Sequence, residues 1–353
     1  KNEFYLDLLD NLNANKLYLQ SANIAQKKLE ISIDSESHIN PIRYSNEASQ
    51  IANYVAASND YSFDQISVSH ITRGIQINEI TFFTDNIQNK YKPTSLIKRE
   101  TAITNPKNSY KNHNFRPRPK FPMILNEFSP DFRTHVGSPE KVMFYGVGIK
   151  ASTEIQLSRN LVIYSTINQP IEDNFDRKKS RPTSQLEHVR TEIVDYLQNT
   201  SNNTYISNLN VENIWSPIND IYAKVSLGLL EPMFGGISSE IMYKPFDKRF
   251  AFSAEFNSVR QREYDQRFDF RAYRTETSHL NFAYYEPKSN ILLKLSYGKY
   301  LAGDIGYTFD ISRRMPSGWR AGIFFTRTDV PAEIFGEGSF DKGFYLNVPH
   351  NIF

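Results

Sequence analysis

The chain has no cysteine among its 353 residues, which excludes disulfide bonds, thiolate zinc sites and cysteine nucleophiles. It also lacks an excess of one charge, since 41 lysines and arginines stand against 39 aspartates and glutamates. This near-balance argues against a dedicated nucleic-acid-binding protein. No run of 18 or more residues is predominantly apolar, so no helical membrane span is predicted. A transmembrane β-barrel is not excluded, because the apolar and polar residues of its alternating strands average to a hydrophilic composition.

Catalytic and cofactor signatures are missing as well. The sequence contains no G-x-S-x-G, Walker or H-E-x-x-H motif, and none of its seven histidines stands at metal-ligand spacing. The glycine-rich stretch 336–343 follows Pro331 and precedes a strand pattern, so it lacks the helix N-terminus that binds phosphate. We predict either a tight loop or an inward fold at the rim of a barrel for this stretch. We therefore expect no catalytic residue, no metal and no cofactor.

Residues 1–103 alternate helical and strand patterns, which is typical of a small α/β module. A first helix is predicted from apolar residues at helical spacing, namely Phe4, Leu8, Leu9 and Leu12. The segment 45–58 predicts a second helix, and its apolar face contains Ala48, Ile51 and Val55. We expect this face to be buried against the strands that contain Val68 and Ile77.

Residues 104–139 are predicted to be a basic linker followed by the entry into a second domain. The stretch 104–121 is polar, basic and proline-bearing, and it has no periodicity. Its basic residues suit contact with an anionic surface, but a solvated linker is the favoured interpretation.

From residue 140 to residue 353 the apolar residues recur with a period of two. In 221–229, for example, Ile221, Ala223, Val225, Leu227 and Leu229 share one face, and polar residues and glycine share the other. About ten such segments follow one another with short turns and almost no helix, which predicts an antiparallel meander.

Two architectures fit this alternation. A soluble sandwich buries the apolar face, whereas a transmembrane barrel turns it toward lipid and fills its interior with the polar face. The barrel is favoured by the aromatic content of the apolar face, by the small and charged residues opposite, and by strand lengths that suit a tilted bilayer crossing. The side chains expected to face lipid are Phe252, Phe256, Ile305, Phe309, Ile323 and Phe325.

Three longer blocks carry a family resemblance: 226–245 (SLGLLEPMFGGISSEIMYKP), 296–314 (SYGKYLAGDIGYTFDISRR) and 335–349 (FGEGSFDKGFYLNVP). Together with 255–264 (EFNSVRQREY) they resemble the YjbH/GfcD-type family of exopolysaccharide and group 4 capsule outer-membrane lipoproteins of Gram-negative bacteria. The resemblance covers most of the chain, and the N-terminal unit resembles the small periplasmic α/β module of that family.

The resemblance implies an outer-membrane lipoprotein of which this chain is the C-terminal half, with soluble modules beside its barrels. No lipidated N-terminal cysteine is present here, so the membrane anchor that the resemblance implies is not seen in this sequence. The family continues for a further hairpin beyond 344–353, so a C-terminal truncation is expected. The implied role is non-enzymatic, in exopolysaccharide or capsule secretion across the outer membrane. The implied partners are outer-membrane lipid, the polysaccharide and other components of the secretion system, with no nucleic acid.

Successive side chains of a strand point to opposite faces, so the position of a residue relative to the apolar residues of its strand places it on the polar face. The candidate functional residues are selected by this strand parity. The lumen-lining candidates are Tyr222, Lys224, Glu240, Glu255, Asp304, Asp310, Arg320 and Phe324, and the rim-loop candidates are Glu337, Asp341 and Lys342. The charges could pair with one another to hold the shape of the barrel, or could line a hydrophilic path on which aromatic rings stack against sugars. Paired carboxylates could also hydrolyse a glycosidic bond if they lie about 5–10 Å apart. A barrel enzyme acting on polysaccharide or lipid, and a plugged structural or adhesive barrel, therefore remain alternatives.

Overall fold

The computed structural model describes most of the chain and divides it into two compact units, residues 1–120 and 121–353. The described residues are 2–35, 41–87, 102–104, 109–118, 121–136, 141–179, 184–186, 188–189, 191–315, 319–336 and 340–347. The boundary between the units falls within the segment 104–139, which was predicted as a linker followed by the entry into the second domain.

The first unit is an α/β fold with a five-stranded sheet in the order β1-β2-β3-β4-β5. Its elements are α1 (Asn2–Ala14), β1 (Leu17–Ala25), β2 (Lys28–Ser35), α2 (Pro41–Ser58), β3 (Gln65–Thr72), β4 (Ile75–Phe83), β5 (Ala102–Thr104) and two 3₁₀ turns, Thr84–Asn86 and Ser109–Asn112. Strands β2 and β3 are parallel and α2 connects them, while the other neighbours are antiparallel. This is the predicted combination of helices and strands.

The helical faces predicted from spacing form the core of this unit. Ala48 and Val55 of α2 are buried in one cluster with Val68 of β3, and Ile51 packs against that cluster. The expected contact with the strand that contains Ile77 is confirmed as well, because Ile80 and Phe82 of β4 belong to the same cluster. The side chain of Ile77 itself points to the other side of β4 and is 40% exposed, since it alternates with the buried residues Gln76 and Asn78.

Part of the predicted linker belongs to the first unit. The ring of Phe115 stacks on that of Tyr5 with centroids 4.8 Å apart, and Phe115 exchanges two backbone hydrogen bonds with Ala22. His113 is buried, and its Nδ1 lies 3.0 Å from the hydroxyl of Ser21. Burial lowers the pKa of His113, and the carboxylate of Glu30 opposes this shift.

A fragment of residues 1–120 is expected to unfold cooperatively in water, because it contains the whole hydrophobic core of the first unit. A fragment of residues 1–103 lacks the Phe115 ring and should lose about 1.5–3 kcal/mol of unfolding free energy, the value of burying one aromatic side chain. Chemical denaturation followed by circular dichroism measures both. Equal stability of the two fragments would contradict the docking of 109–118.

The second unit is built around twelve strands. They are β6 (Met123–Val136), β7 (Met143–Gln156), β8 (Leu161–Asp173), β9 (Tyr205–Ile218), β10 (Ile221–Leu229), β11 (Phe234–Tyr243), β12 (Phe250–Arg262), β13 (Phe270–Glu286), β14 (Ile291–Lys299), β15 (Ile305–Arg314), β16 (Arg320–Thr328) and β17 (Asp341–Asn347). A 3₁₀ turn (Phe175–Arg177) and α3 (Ile193–Asn199) lie between β8 and β9, and α4 (Ala332–Phe335) lies between β16 and β17.

The twelve strands form one sheet in which each strand pairs antiparallel with the next, from β6 to β17. This confirms the predicted antiparallel meander. Strands β6 and β17 are its edges, and within the described residues the sheet is not closed by a pairing between them. The described part of the chain contains no helix long and apolar enough to cross a membrane.

The apolar face of this sheet is exposed. Phe252 is 50% exposed and Ile323 is 60% exposed, and Phe256, Ile305 and Phe325 are exposed too. Phe309 is half-buried. A sandwich would bury these side chains between two stacked sheets, so the soluble-sandwich alternative is not supported for these strands.

Candidate functional site

The polar face of the second sheet carries continuous cross-strand rows of hydrogen-bonding side chains. Because neighbouring strands pair residue by residue, Lys224 lies opposite Glu240, Glu240 opposite Glu255, and Glu255 opposite His279. A second row runs through Ser226, Ser238, Asn257 and Thr277. Strand parity, which the sequence revealed, thus aligns these polar groups on one side.

The sheet curves so strongly that non-neighbouring strands border one space. A cavity of about 560 Å³ is lined by side chains from β9 to β13, from β16 and β17, and from the turn between β14 and β15. We call the polar side the concave face and the apolar side the convex face. The cavity's polar lining consists of Asn210, Glu212, Ser226, Glu231, Ser238, Glu255, Asn257, Thr277, His279, Tyr300, Asp304, Thr326, Thr328 and Asp341.

Three of the predicted site residues meet at this cavity: Glu255, Asp304 and Asp341. The carboxylate of Glu255 accepts a hydrogen bond of 2.7 Å from the Asn257 amide, which also donates to Thr277. Tyr222, Lys224, Glu240, Asp310, Arg320 and Phe324 do not line the cavity. The structure therefore separates the predicted residues into two groups.

The charged residues outside the cavity pair with one another. Lys224 Nζ lies 3.4 Å from a carboxylate oxygen of Glu240. The hydroxyl of Tyr345 donates to Asp310 at 3.1 Å, and the guanidinium of Arg320 lies 4.0 Å from the same carboxylate. The two ion pairs join neighbouring strands, whereas the Tyr345–Asp310 hydrogen bond reaches across β16 from β17 to β15.

Phe324 lies against β17 rather than in open space. A Cβ atom added to Gly343 would come within 2.8 Å of the Phe324 ring, so a glycine at this position makes room for the ring. Tyr222 is half-buried at the start of β10, opposite Met242.

The predicted rim loop needs a correction. Asp341 and Lys342 are the first residues of β17, and they point to opposite faces of the sheet because strand side chains alternate. Asp341 lines the cavity, whereas the ammonium of Lys342 lies 4.3 Å from the ring centre of Phe340, beside the convex-face residue Phe325. Glu337 lies outside the described residues.

Sequence analysis missed several cavity residues, among them Glu212, Glu231, His279 and Tyr300. Parity could have identified His279, because it shares a face with Asn281 on β13. The ring of His279 packs edge-on against that of Tyr300, with centroids 4.7 Å apart. Nε2 of His279 and Oε1 of Glu231 are buried and have no hydrogen-bond partner in the structure. Burial also raises the pKa of Glu231, which lies in the turn between β10 and β11.

Two connections between strands contribute to the cavity wall. Leu186, from the β8–β9 connection, and Phe335, from α4, both line the cavity. The two connections also bind each other, because the backbone N–H of Gln185 donates to the carbonyl of Ile334 at 2.7 Å. The hydroxyl of Ser184 donates to the same carbonyl at 3.4 Å. We call residues 184–186 and α4 the inner latch.

A fully buried arginine anchors the loops beside the cavity. Arg262, at the end of β12, donates to the carbonyls of Ile206 at 2.8 Å, Glu231 at 2.8 Å, Gln266 at 2.6 Å and Arg267 at 3.0 Å. A guanidinium offers five donors in a fixed fork, so one side chain can bind carbonyls from several loops. Arg262 thus ties three chain segments together.

The long β8–β9 connection is fixed to this anchor. The hydroxyl of Tyr196 in α3 donates to the carbonyl of Arg262 at 2.7 Å. Glu192 accepts hydrogen bonds from the side chains of Gln261 and Tyr264. Burial and the neighbouring Glu192 raise the pKa of the Tyr264 hydroxyl to about 12, so Tyr264 remains a donor at neutral pH.

The carboxylates of the second unit do not converge in the manner of a metal centre. Within the ranges that the structure describes, no three histidine, aspartate or glutamate side chains are arranged to hold a metal ion. Five of these acids nevertheless line one cavity: Glu212, Glu231, Glu255, Asp304 and Asp341. The arrangement offers many separate hydrogen-bonding positions.

The fold and the cavity define a protein with a large antiparallel sheet, a polar cavity-bearing concave face and an exposed apolar convex face. The family model described as "Exopolysaccharide biosynthesis protein YbjH" matches residues 6–353, so the chain belongs to this family. This confirms the resemblance to the YjbH family. The chain is similar to "Uncharacterized lipoprotein YjbH" of Escherichia coli (strain K12), with 35% identity over 232 residues. That match covers 64% of this chain and 33% of the relative, so the chain spans about a third of the relative's length.

Proposed function

We propose that this protein is a non-enzymatic outer-membrane component of exopolysaccharide or capsule secretion. The second unit forms the wall of a transmembrane β-barrel, and the first unit lies in the periplasm. The observation that carries the proposal is the pairing of an exposed apolar convex face with a polar, cavity-bearing concave face on one sheet. The family's description supports the link to exopolysaccharide.

The convex face supports a lipid environment. Leu227, Leu280, Tyr297, Ile323 and Phe344 lie on separate strands, and each exposes more than half of its side chain. Proteins in water rarely expose an apolar surface that continues across so many strands. The Escherichia coli relative is named as a lipoprotein, which also supports a location at a membrane of the cell envelope.

The connectivity supports closure of the sheet into a barrel. Since the sheet is a meander of twelve strands, β6 and β17 run antiparallel to each other, as barrel closure with an even number of strands requires. Closure would remove two exposed strand edges, which are otherwise sites of aggregation.

The concave face supports polymer passage or docking rather than chemistry. Its acids outside the cavity have partners on other strands, as Glu240 with Lys224 and Asp310 with Tyr345 illustrate. Weak and repeated hydrogen bonds of this kind suit a polymer that moves along a wall. The other components of the secretion system are the proposed protein partners.

A deletion strain complemented with variants tests this proposal. We expect the deletion to reduce polysaccharide at the cell surface and the parent gene to restore it. Asp304→Asn and Asp310→Asn keep size and most hydrogen bonding, so export should fall only modestly. A catalytic carboxylate treated in this way would lose about 10²–10⁴-fold in activity. New reducing ends on polysaccharide incubated with the parent protein, absent with both variants, would overturn the non-enzymatic assignment.

A plugged structural barrel is the second candidate, and the inner latch favours it. Gln185 and Ile334 are far apart in sequence, yet their backbones are hydrogen-bonded beside the cavity. If this contact never opens, the concave space is closed where the latch lies. The lumen would then carry no polymer.

Cross-linking the inner latch separates the two candidates. The chain has no cysteine of its own, so Ser184→Cys and Ile334→Cys introduce a unique pair that a short thiol-reactive linker can join. If the latch opens for passage, cross-linking should lower export, and each single-cysteine variant should export normally. Normal export by a fully cross-linked protein would favour the structural barrel.

A further inference from the structure

We propose that the concave-face cavity binds a glycan segment without negative charge and rejects carboxylated or phosphorylated glycans. The inference rests on the proposed function and deepens it, because it names the class of polymer that the cavity accepts. It is carried by the chemistry of the cavity wall, which combines acids, uncharged hydrogen-bonding groups and an apolar side.

The ionisable lining of the cavity is almost entirely acidic. It contains five carboxyl groups and one imidazole, those of Glu212, Glu231, Glu255, Asp304, Asp341 and His279. Among the described residues that line it there is no lysine or arginine. A carboxylate or phosphate on a sugar would therefore face like charges within a partly desolvated space, where repulsion is stronger than in water.

Two basic side chains of the concave face, Lys224 and Arg320, form ion pairs away from the cavity. Lys224 pairs with Glu240 at 3.4 Å, and the guanidinium of Arg320 lies 4.0 Å from Asp310. None of these four residues lines the cavity. Neither of these two bases is therefore placed to neutralise an acidic glycan in the cavity.

The uncharged part of the lining suits a sugar ring. Phe234, Phe335 and Leu230 supply an apolar side, and the packed rings of Tyr300 and His279 supply an aromatic one. Sugars have an apolar ring face and a rim of hydroxyls, so they need both kinds of surface. The size of about 560 Å³ falls within the range of about 300–1,000 Å³ that is usual for ligand sites.

Two orphaned polar atoms point independently to a hydrogen-bonding ligand. Oε1 of Glu231 and Nε2 of His279 are buried at the cavity and have no partner in the structure. Buried polar atoms are nearly always hydrogen-bonded in folded proteins. A sugar hydroxyl can donate to the carboxylate and can either donate to or accept from the imidazole, so it satisfies both.

Calorimetry on the full chain in detergent tests the inference with three tetrasaccharides. The probes are tetra-N-acetylchitotetraose, which is neutral, chitotetraose, which carries amines on the same backbone, and tetragalacturonate, which is acidic. We expect the neutral and amine-bearing probes to bind, and the acidic probe to bind at least about tenfold more weakly than the neutral one, a difference of about 1.4 kcal/mol. Equal or tighter binding of the acidic probe, or no binding of the neutral one, would overturn the inference.

A charge-removing variant tests the cause of the selectivity. The double variant Glu255→Gln, Asp304→Asn keeps the shape of the cavity and removes two negative charges, so the preference for neutral over acidic glycan should fall several-fold. Asp247→Asn removes one charge from the exposed turn between β11 and β12 and should leave the preference unchanged. An unchanged preference in the double variant would contradict the electrostatic cause.

Failure of this inference can be distinguished from failure of the proposed function. If the deletion strain loses surface polysaccharide while purified protein shows no glycan selectivity, the secretion role stands and the cavity is not its selective site. If surface polysaccharide is unaffected by the deletion, the secretion role fails whatever the cavity binds.

Discussion

Replacing Arg262 by methionine is expected to lower the free energy of unfolding of the second unit by about 3–5 kcal/mol. The substitution keeps an unbranched side chain of similar length and removes all the guanidinium donors. The carbonyls of Ile206, Glu231 and Gln266 then remain buried without their donor. Each unsatisfied buried acceptor costs about 1–3 kcal/mol. Guanidinium unfolding in detergent, followed by circular dichroism, measures the loss.

Arg267→Met is the matched control, since Arg267 lies in the same loop with an exposed side chain. Its backbone carbonyl remains available to Arg262, so the change should stay within about 0.5 kcal/mol. Arg262→Lys keeps the positive charge but loses the fork of donors, so it should fall between the two. If Arg262→Met and Arg267→Met are equally stable, Arg262 does not anchor the loops.

The substitution Leu295→Lys is expected to have the second large effect on the free energy of unfolding. It tests whether the convex face contacts lipid. Leu295 lies at the middle of β14 on the convex face, where its side chain is 42% exposed. A lysine at the bilayer midplane costs about 2–4 kcal/mol in a transmembrane barrel. If the convex face contacts water instead of lipid, Leu295→Lys is a surface substitution and should change the free energy of unfolding by no more than about 0.5 kcal/mol. Unfolding from lipid vesicles is the measurement.

Ser296→Lys supplies the control one residue away. Its side chain points to the concave face, so it meets polar groups whether or not the convex face contacts lipid. We expect Leu295→Lys to be the more destabilising of the two in vesicles. If both substitutions are similarly mild there, the convex face does not contact lipid and the barrel proposal fails.

Periodicity was sufficient to predict most of the second sheet. In β10, in β15 and in residues 252–257 of β12, apolar residues alternate with polar residues or glycine. The strands, their antiparallel order and the face of each side chain could therefore be predicted. The same alternation assigned Glu255 and Asp310 to the polar side. It could not predict which of them share a cavity, because that depends on how sharply the sheet curves.

The unpredicted features lie where local pattern is weak or misleading. The β8–β9 connection has no period, so nothing in the sequence indicated that Leu186 would reach the cavity. The sequence around Asp341 is rich in glycine and polar residues, which predicted a loop, whereas pairing with β16 extends the strand to that point.

The connection that carries Ser184 has a consequence for biogenesis. It precedes β9, so it is synthesised before all of the strands from β9 to β17 that border the cavity, while its partner Ile334 comes almost at the end. Hairpin-by-hairpin growth of a meander is fast because its contacts are local. The contact with Ile334 spans 150 residues and cannot form until β16 is in place. The wall is therefore expected to assemble around a segment already present, with the Ser184–Ile334 contact as one of the last steps of folding.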